Sequence, residues 1–232
     1  MLTCDRPALA RRAVECLRGQ TYPAKRLVIW DTGRTDVVRH HGHYQHCEIG
    51  SGSTATIGEL RNKANERYTG EPSEIICHWD DDDWSHPNRI AEQVALMEAT
   101  GAEVTGYNEM LFWRERRRVC SDPSHDIEGE AWIYTGTILG TSLCYRRSVW
   151  ERFPFPATSY GEDTEFLKRI QHAGIKIACC SSVPLLTGEV RMIARIHATN
   201  TSKAYLPEAM RAAPHHWRRA CEWDEHCRKV ME

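Results

Sequence analysis

Apolar and polar positions along this chain follow two rhythms, and the switches between them mark its elements. From Pro7 to Gly19, Leu9, Ala13, Cys16 and Leu17 fall on one face at helical spacing, with Pro near the first turn and Gly19 as the stop. Arg26 to Trp30 is a short apolar run of strand character, and Asp31-Thr32-Gly33 ends it with turn chemistry. A further strand is predicted near Tyr44 to Ile49. Helical periodicity returns over Thr56 to Tyr68 through Ile57, Leu60 and Ala64, with Gly70 behind it. Ile75-Ile76-Cys77 reads as strand, His86 to Thr100 as a helix with Ile90, Val94 and Met97 inward, and Glu103 to Tyr107 as strand. This alternation predicts an α/β fold, a mainly parallel sheet with helices on both faces.

From Leu111 the rhythm changes. Phe112-Trp113 precedes the run Arg114 to Arg118, which reads either as a phosphate patch or as the solvated face of an edge strand. Alternation resumes at Ala131 to Tyr134, followed by an apolar run ending at Tyr145 and a short helix from Ser148. Acids at Glu162 and Asp163 open a helix that runs to Gly174, where they complement its dipole. Ile175 to Cys179 reads as a buried strand, and Glu189 to Ile196 leads into the polar stretch from His197. The tail from Pro207 is predicted helical, with Met210, Trp217, Cys221 and Trp223 set among arginines.

The densest chemistry lies at Asp80-Asp81-Asp82-Asp83, where an apolar strand drives into four adjacent carboxylates. None can be buried unpaired without a cost of several kcal/mol. One reading is a solvated loop with Asp83 to Ser85 capping the next helix. A calcium loop lacks its alternating ligands and glycine here. The third reading is a magnesium or manganese site at a strand's carboxyl end, where open α/β sheets bind ligands. The stretch from Arg39 to Cys47 offers four His and one Cys to zinc, but without paired ligands across two turns; a polar loop entering a strand is the other reading.

Composition narrows the classes. With 232 residues and 41% hydrophobic content the chain can bury one substantial core. A net charge of −2 provides no global field toward nucleic acid or acidic membranes. No apolar stretch approaches the roughly 20 residues of a membrane span, and the first six residues do not read as a signal peptide, so a cytoplasmic protein, at most peripheral at a membrane face, is expected. Ten cysteines without a CxxC pair suit reduced thiols.

Five stretches, in order, resemble the family-2 glycosyltransferases of the GT-A fold, a Rossmann-like α/β architecture. They are Thr3-Cys4-Asp5-Arg6-Pro7, Val28 to Gly33, Gly58 to Asn62, Trp79 to Pro87 with its DxD-like block, and Gly161-Glu162-Asp163. The resemblance implies an inverting transfer of a sugar from a nucleotide-diphosphate sugar, UDP-linked by preference, with Mn2+ or Mg2+ on the diphosphate. It implies nucleotide-sugar contacts at Thr3, Asp5, Arg6, Asp31, Arg61, Asp80 and Asp81. Metal binding falls to Asp82 and Asp80, and His197 matches a late His that binds metal or diphosphate in some relatives. Asp163 takes the role of general base and Glu162 that of acceptor positioning. The acceptor implied is a glycan or lipid-linked saccharide, with nucleic acid a minor alternative.

Two other readings stand beside it: a nucleotidyltransferase, whose Gly-rich loop is absent, and a non-catalytic module on the same fold. The expected organisation is a glycosyltransferase domain over 1–205, with a nucleotide-sugar half to about residue 110, an acceptor half over 111–205, and a helical tail over 206–232. Only Met1 and Leu2 precede the Thr motif, where relatives carry a strand of about five residues. The expectation is an abbreviated sheet that either leaves the chain marginal alone or is filled from elsewhere, by a partner or, the better candidate, by Trp217, Cys221 and Trp223 of the tail.

Overall fold

The computed structural model describes residues 1–33, 44–48, 54–67, 74–116, 128–183, 189–197 and 207–231, with backbone only at 44–48, 116, 128 and 207–209. The chain opens on β1 (Leu2–Thr3), α1 (Pro7–Arg18), β2 (Leu27–Asp31), β3 (Tyr44–Glu48) and α2 (Ile57–Arg67). Next come β4 (Ile75–Cys77), β5 (Trp84–Ser85), α3 (Arg89–Thr100), β6 (Val104–Arg116) and β7 (Glu128–Thr135). A 3-10 turn at Gly140–Ser142 leads to β8 (Cys144–Arg146), α4 (Arg147–Arg152), α5 (Glu162–His172), β9 (Ile177–Ser181) and β10 (Met192–Ile196). The tail holds α6 (Pro207–Ala212), β11 (Trp217–Arg219), a 3-10 turn at Cys221–Trp223 and α7 (Asp224–Met231).

The architecture is mixed α/β, as the alternation predicts, but the sheet is in two parts. β1, β2 and β3 form a parallel three-stranded unit. The other eight strands form a second sheet around β6, with β9 and β10 parallel to it and β7 and β8 antiparallel. The mainly parallel expectation therefore describes the first unit, while hairpin-type pairing governs the second. The reason is visible in β6, which continues past Tyr107 to Arg116 because its apolar residues Met110 to Trp113 keep pairing with β7. Arg114 sits opposite Glu130 and pairs with it at 3.3 Å, but β6 lies here between β7 and β10, so the edge-strand reading does not hold at Arg114; Arg117 and Arg118 lie outside the described residues. The His/Cys stretch from residue 39 lies outside them as well, except for the backbone of β3.

Two expectations change. The tail is not wholly helical: β11 joins the sheet edge antiparallel to β7, because Trp217 packs against Phe112 and Tyr134. Nor does it fill a gap beside β1. Cys227 and Met231 of α7 join Leu111, Trp113 and Ile133 in a cluster on the second sheet. β9 is half-buried rather than buried, since it lies on the outer side of β6 with only Ile175 before it deeply covered. The eight described cysteines that carry side-chain data are thiols, and Cys77 and Cys144 approach to 2.6 Å between sulfurs across β4 and β8.

Candidate active site

The carboxyl ends of β1, β2, β4 and β10 meet at the acid block, and the sequence gives each loop a reason to stop there. β1 ends on Thr3, whose hydroxyl donates to Asp81 Oδ2 at 2.7 Å. The turn behind it places Asp5 at φ 52 and brings its backbone against Gly33, where a Cβ would stand 2.4 Å from the Asp5 nitrogen. Gly33 is required by that close approach. Its N–H donates to Asp31 Oδ1 at 2.8 Å, so the buried Asp31 ends β2 by bonding its own turn.

Arg6, at the mouth of α1, reaches two of the acids, Asp81 at 2.8 Å and Asp82 at 3.1 Å. The pairing of β5 with β10, with Ile193 opposite Trp84, carries the chain after β10 back past the block. The Arg195 N–H donates to Asp83 Oδ1 at 3.1 Å, and His197 Nε2 lies 2.9 Å from Asp82 Oδ2. Thr141 donates to the other Asp83 oxygen.

The four like charges are thus dispersed. Burial and the charge of Asp82 push the Asp81 carboxyl up to about 7 despite Arg6. Burial, then Asp82 and Asp80, push Asp83 well above the usual carboxylate range. Burial also opposes ionisation of Asp82, but the His197 hydrogen bond and the charges of Arg6 and His197 outweigh it and hold Asp82 below its ordinary value. Asp80 faces Arg61 at 3.8 Å.

Arg61 is the bridge to the other acidic pair. Its Nε donates to Glu162 Oε1 at 3.3 Å, and Glu162 is buried, its carboxyl raised mainly by that burial. Glu162 is therefore tied into the wall rather than merely complementing the helix dipole. Asp163 is half-buried, its Oδ1 accepting the Thr164 N–H at 2.7 Å. Its Oδ2 lies against Gly140, where a Cβ would stand only 1.9 Å away. Asn62, beside Arg61, turns the other way and clasps Trp150 and the backbone of Phe155.

Several residues that sequence reasoning passed over organise this site. Arg89, at the start of α3, is fully buried and bonds Ser85, Gln93 and the carbonyls of His78 and Thr141. It ties the end of β4 to the turn that carries Gly140. His78 Nδ1 donates to the Gly140 carbonyl at 2.7 Å; burial, then Arg61, hold its imidazole well below its ordinary value. Arg195 is buried with Glu115 and the Met231 carbonyl as partners, so α7 closes behind the acids. Only Arg195 carried a signal, a lone cation inside an apolar strand.

Asp82 and His197 bring a carboxylate held in its charged form and an imidazole to one place, two side chains that could contribute to the shell of a divalent ion. Among the described residues no three His, Cys, Asp or Glu side chains converge as a complete cage. A site of this kind fits an ion completed by phosphate oxygens and water.

Comparison with known proteins bears on the family and the fold. Residues 1–119 match the family described as Glycosyl transferase family 2. No curated sequence matches the chain. Among solved structures, S. aureus TarS 1-349 in complex with UDP-GlcNAc superposes with a TM-score of 0.62 at 16% identity, over 91% of this chain and 63% of that one. A further crystal structure of S. aureus TarS 1-349 gives 0.60 at 15%, over 84% and 59%. The mannosyltransferase PcManGT from Pyrobaculum calidifontis, in complex with GDP-Man and Mn2+, gives 0.56 at 13%, over 99% and 66%. The chain thus spans about six-tenths of the TarS structure's length. It shares their fold, a central sheet flanked by helices, and with just over half of its residues inside the family match it belongs to glycosyl transferase family 2.

Proposed function

We propose that this chain is an inverting glycosyltransferase that moves a hexosyl group from a nucleoside-diphosphate sugar, UDP-linked by preference, to an acceptor hydroxyl. The observation that carries the reading is the meeting of Asp82, His197 and Arg6 at one point, drawn from three distant parts of the chain. A manganese or magnesium ion held by Asp82 and His197 supplies charge neutralisation for the diphosphate.

This chain's own residues do the rest. Thr3, Asp5, Asp31 and Asp81 line the side on which a nucleoside would be held, and Arg6 and Arg61 place cationic donors near the phosphates. Asp163 Oδ2 accepts the acceptor's hydroxyl proton as that oxygen bonds to the anomeric carbon. The bond to the diphosphate oxygen breaks on the opposite face, so configuration inverts. Glu162, anchored by Arg61, holds the neighbouring wall and is the less exposed of the two acids. A carbohydrate or lipid-linked saccharide is the proposed acceptor, and nucleic acid is a minor alternative. No helix among the described residues is long and apolar enough to cross a membrane.

The test is a panel of nucleotide sugars assayed for hydrolysis with manganese, followed by acceptor classes offered to the best donor. Metal-dependent turnover of one donor is expected. Binding of a donor with no hydrolysis and no transfer would favour the non-catalytic module instead.

A further inference from the structure

Across β4 and β8, Cys77 stands directly opposite Cys144, and the backbone decides what that pairing allows. The N–H of His78, the residue after Cys77, donates at 2.7 Å to the carbonyl of Leu143, the residue before Cys144. Cys77 and Cys144 are therefore a non-hydrogen-bonded pair of an antiparallel ladder, the kind whose α-carbons stand about 4.5 Å apart with side chains close together. A disulfide needs α-carbons about 4.4–6.8 Å apart. The two sulfurs are already 2.6 Å apart, with the Cys144 thiol donating to Cys77. No strand has to move for them to be joined.

The two thiols are unequal. Cys144 is fully buried, and burial raises its thiol well above the ordinary value. Cys77 is half-buried, and the bond that it accepts from Cys144 holds its thiol below the ordinary value, against burial and with Arg89 acting in the same direction as the bond. The thiolate is the reactive form, so Cys77 is the attacking sulfur and Cys144 the resolving one. Removing the Cys144 proton orphans nothing. Its second acceptor, Gln93 Oε1 at 3.3 Å, still accepts from Arg89 Nε at 3.2 Å.

We propose that Cys77 and Cys144 are a redox-active thiol pair, which hydrogen peroxide converts to a disulfide between β4 and β8. The Cys77 thiolate bonds to one peroxide oxygen, the O–O bond breaks, and the leaving hydroxide takes up the former Cys77 proton as water, leaving a sulfenic acid. The Cys144 sulfur then bonds to the Cys77 sulfur, the S–O bond breaks, and the departing hydroxide carries off the Cys144 proton as a second water. The two sulfurs together lose two electrons and the peroxide gains two; a small dithiol reverses the bond by exchange. The disulfide fastens the strand that leads into the acid block to the strand that follows the Gly140 turn. The site is independent of the sugar-transfer reading.

The test treats the folded full chain with hydrogen peroxide, alkylates the remaining thiols in denaturant and maps the peptides by mass. A Cys77–Cys144 link that dithiothreitol separates is expected, with Tm raised by about 5 °C or more in the linked chain. In Cys144→Ser the resolving sulfur is gone, and a 1,3-diketone should trap sulfenic acid at Cys77. Free thiols at both positions, at a dose that oxidises the exposed Cys4, Cys179 and Cys221, would overturn the proposal, and this arm needs no variant. So would Cys77 joined to another cysteine, a link that forms only in unfolded protein, or a linked chain with a lowered Tm. A Cys77 left as a thiol in Cys144→Ser would overturn its assignment as the attacking sulfur.

Discussion

Asp80, Asp81, Asp82 and Asp83 are chemically identical, yet each has a different partner, and the difference decides their use. Asp82 keeps its charge because Arg6 and His197 face it, so Asp82→Ala should abolish manganese-dependent binding of UDP in calorimetry while circular dichroism stays unchanged. Wild-type affinity in that variant would remove Asp82 from the metal site. Asp163→Asn keeps shape but not basicity, and transfer should fall at least about a hundredfold with donor affinity unchanged. Gly140→Ala tests the same group from outside: its new methyl would collide with Asp163 Oδ2, so turnover should drop while the nucleotide Kd holds. The acid block and the Glu162-Asp163 pair were legible in the sequence as unusual clusters. Which member of each keeps its charge was not, because that depends on Arg6, Arg61 and His197 arriving from far along the chain.

The helices and strands themselves were largely legible, and the exceptions have causes. α1 and α3 were readable from spacing and their glycine stops, and the buried residues of α3 include Ile90, Val94 and Met97. Arg89 was unreadable because a cation at a helix start usually meets solvent; here it bonds two carbonyls from other loops. Arg89→Met would leave those groups and Ser85 unpaired, each worth about 1–3 kcal/mol when buried. Tm should fall by roughly 6 °C or more, at about 2–4 °C per kcal/mol, and an unchanged Tm would deny Arg89 this bracing role. β11 escaped notice because three residues carry too little period to separate from a helix. Its Trp217 packs on Phe112, and α7 ends with its last carbonyls bonded by Arg12 and Arg195. Removing residues 207–232 should therefore expose Leu111 and Trp113 and yield aggregating protein; a truncated chain that stays monomeric would show the tail to be dispensable.

In the molecule as a whole, two sheets share one core, with Leu27, Ile29, Trp79, Ile90 and Val94 in a single cluster. The Met1 amino group at their junction makes the division measurable by pH. Its folded value, about 5, lies below its ordinary 8.0, so between those limits the unfolded chain binds a proton that the folded chain lacks. Stability from this group is then complete above pH 8 and lost as pH falls toward 5. Asp80, Arg61 and Asp81 face the same amine, and the low-lying His78 adds a slope of the same sign below pH 6.5. Acetylating the amine should remove this group's share of the dependence of Tm on pH between 5 and 8, while His78, Asp81 and Asp83 titrate alike in both chains. An identical slope in both chains would place the titration elsewhere.

Local patterning settled the α/β class, most element positions and the two acidic clusters, because these depend on neighbours within a turn or a strand. Packing alone decided that β6 runs on to Arg116, that the tail docks on β7 rather than beside β1, and that Asn62 clasps Phe155 while Arg61 enters the site. It also decided that β4 and β2 face an open space. The physical reason is common to all of these: hydrogen-bond pairing, burial and charge compensation act between residues that are close in space, and the sequence order of those residues carries no record of the distance.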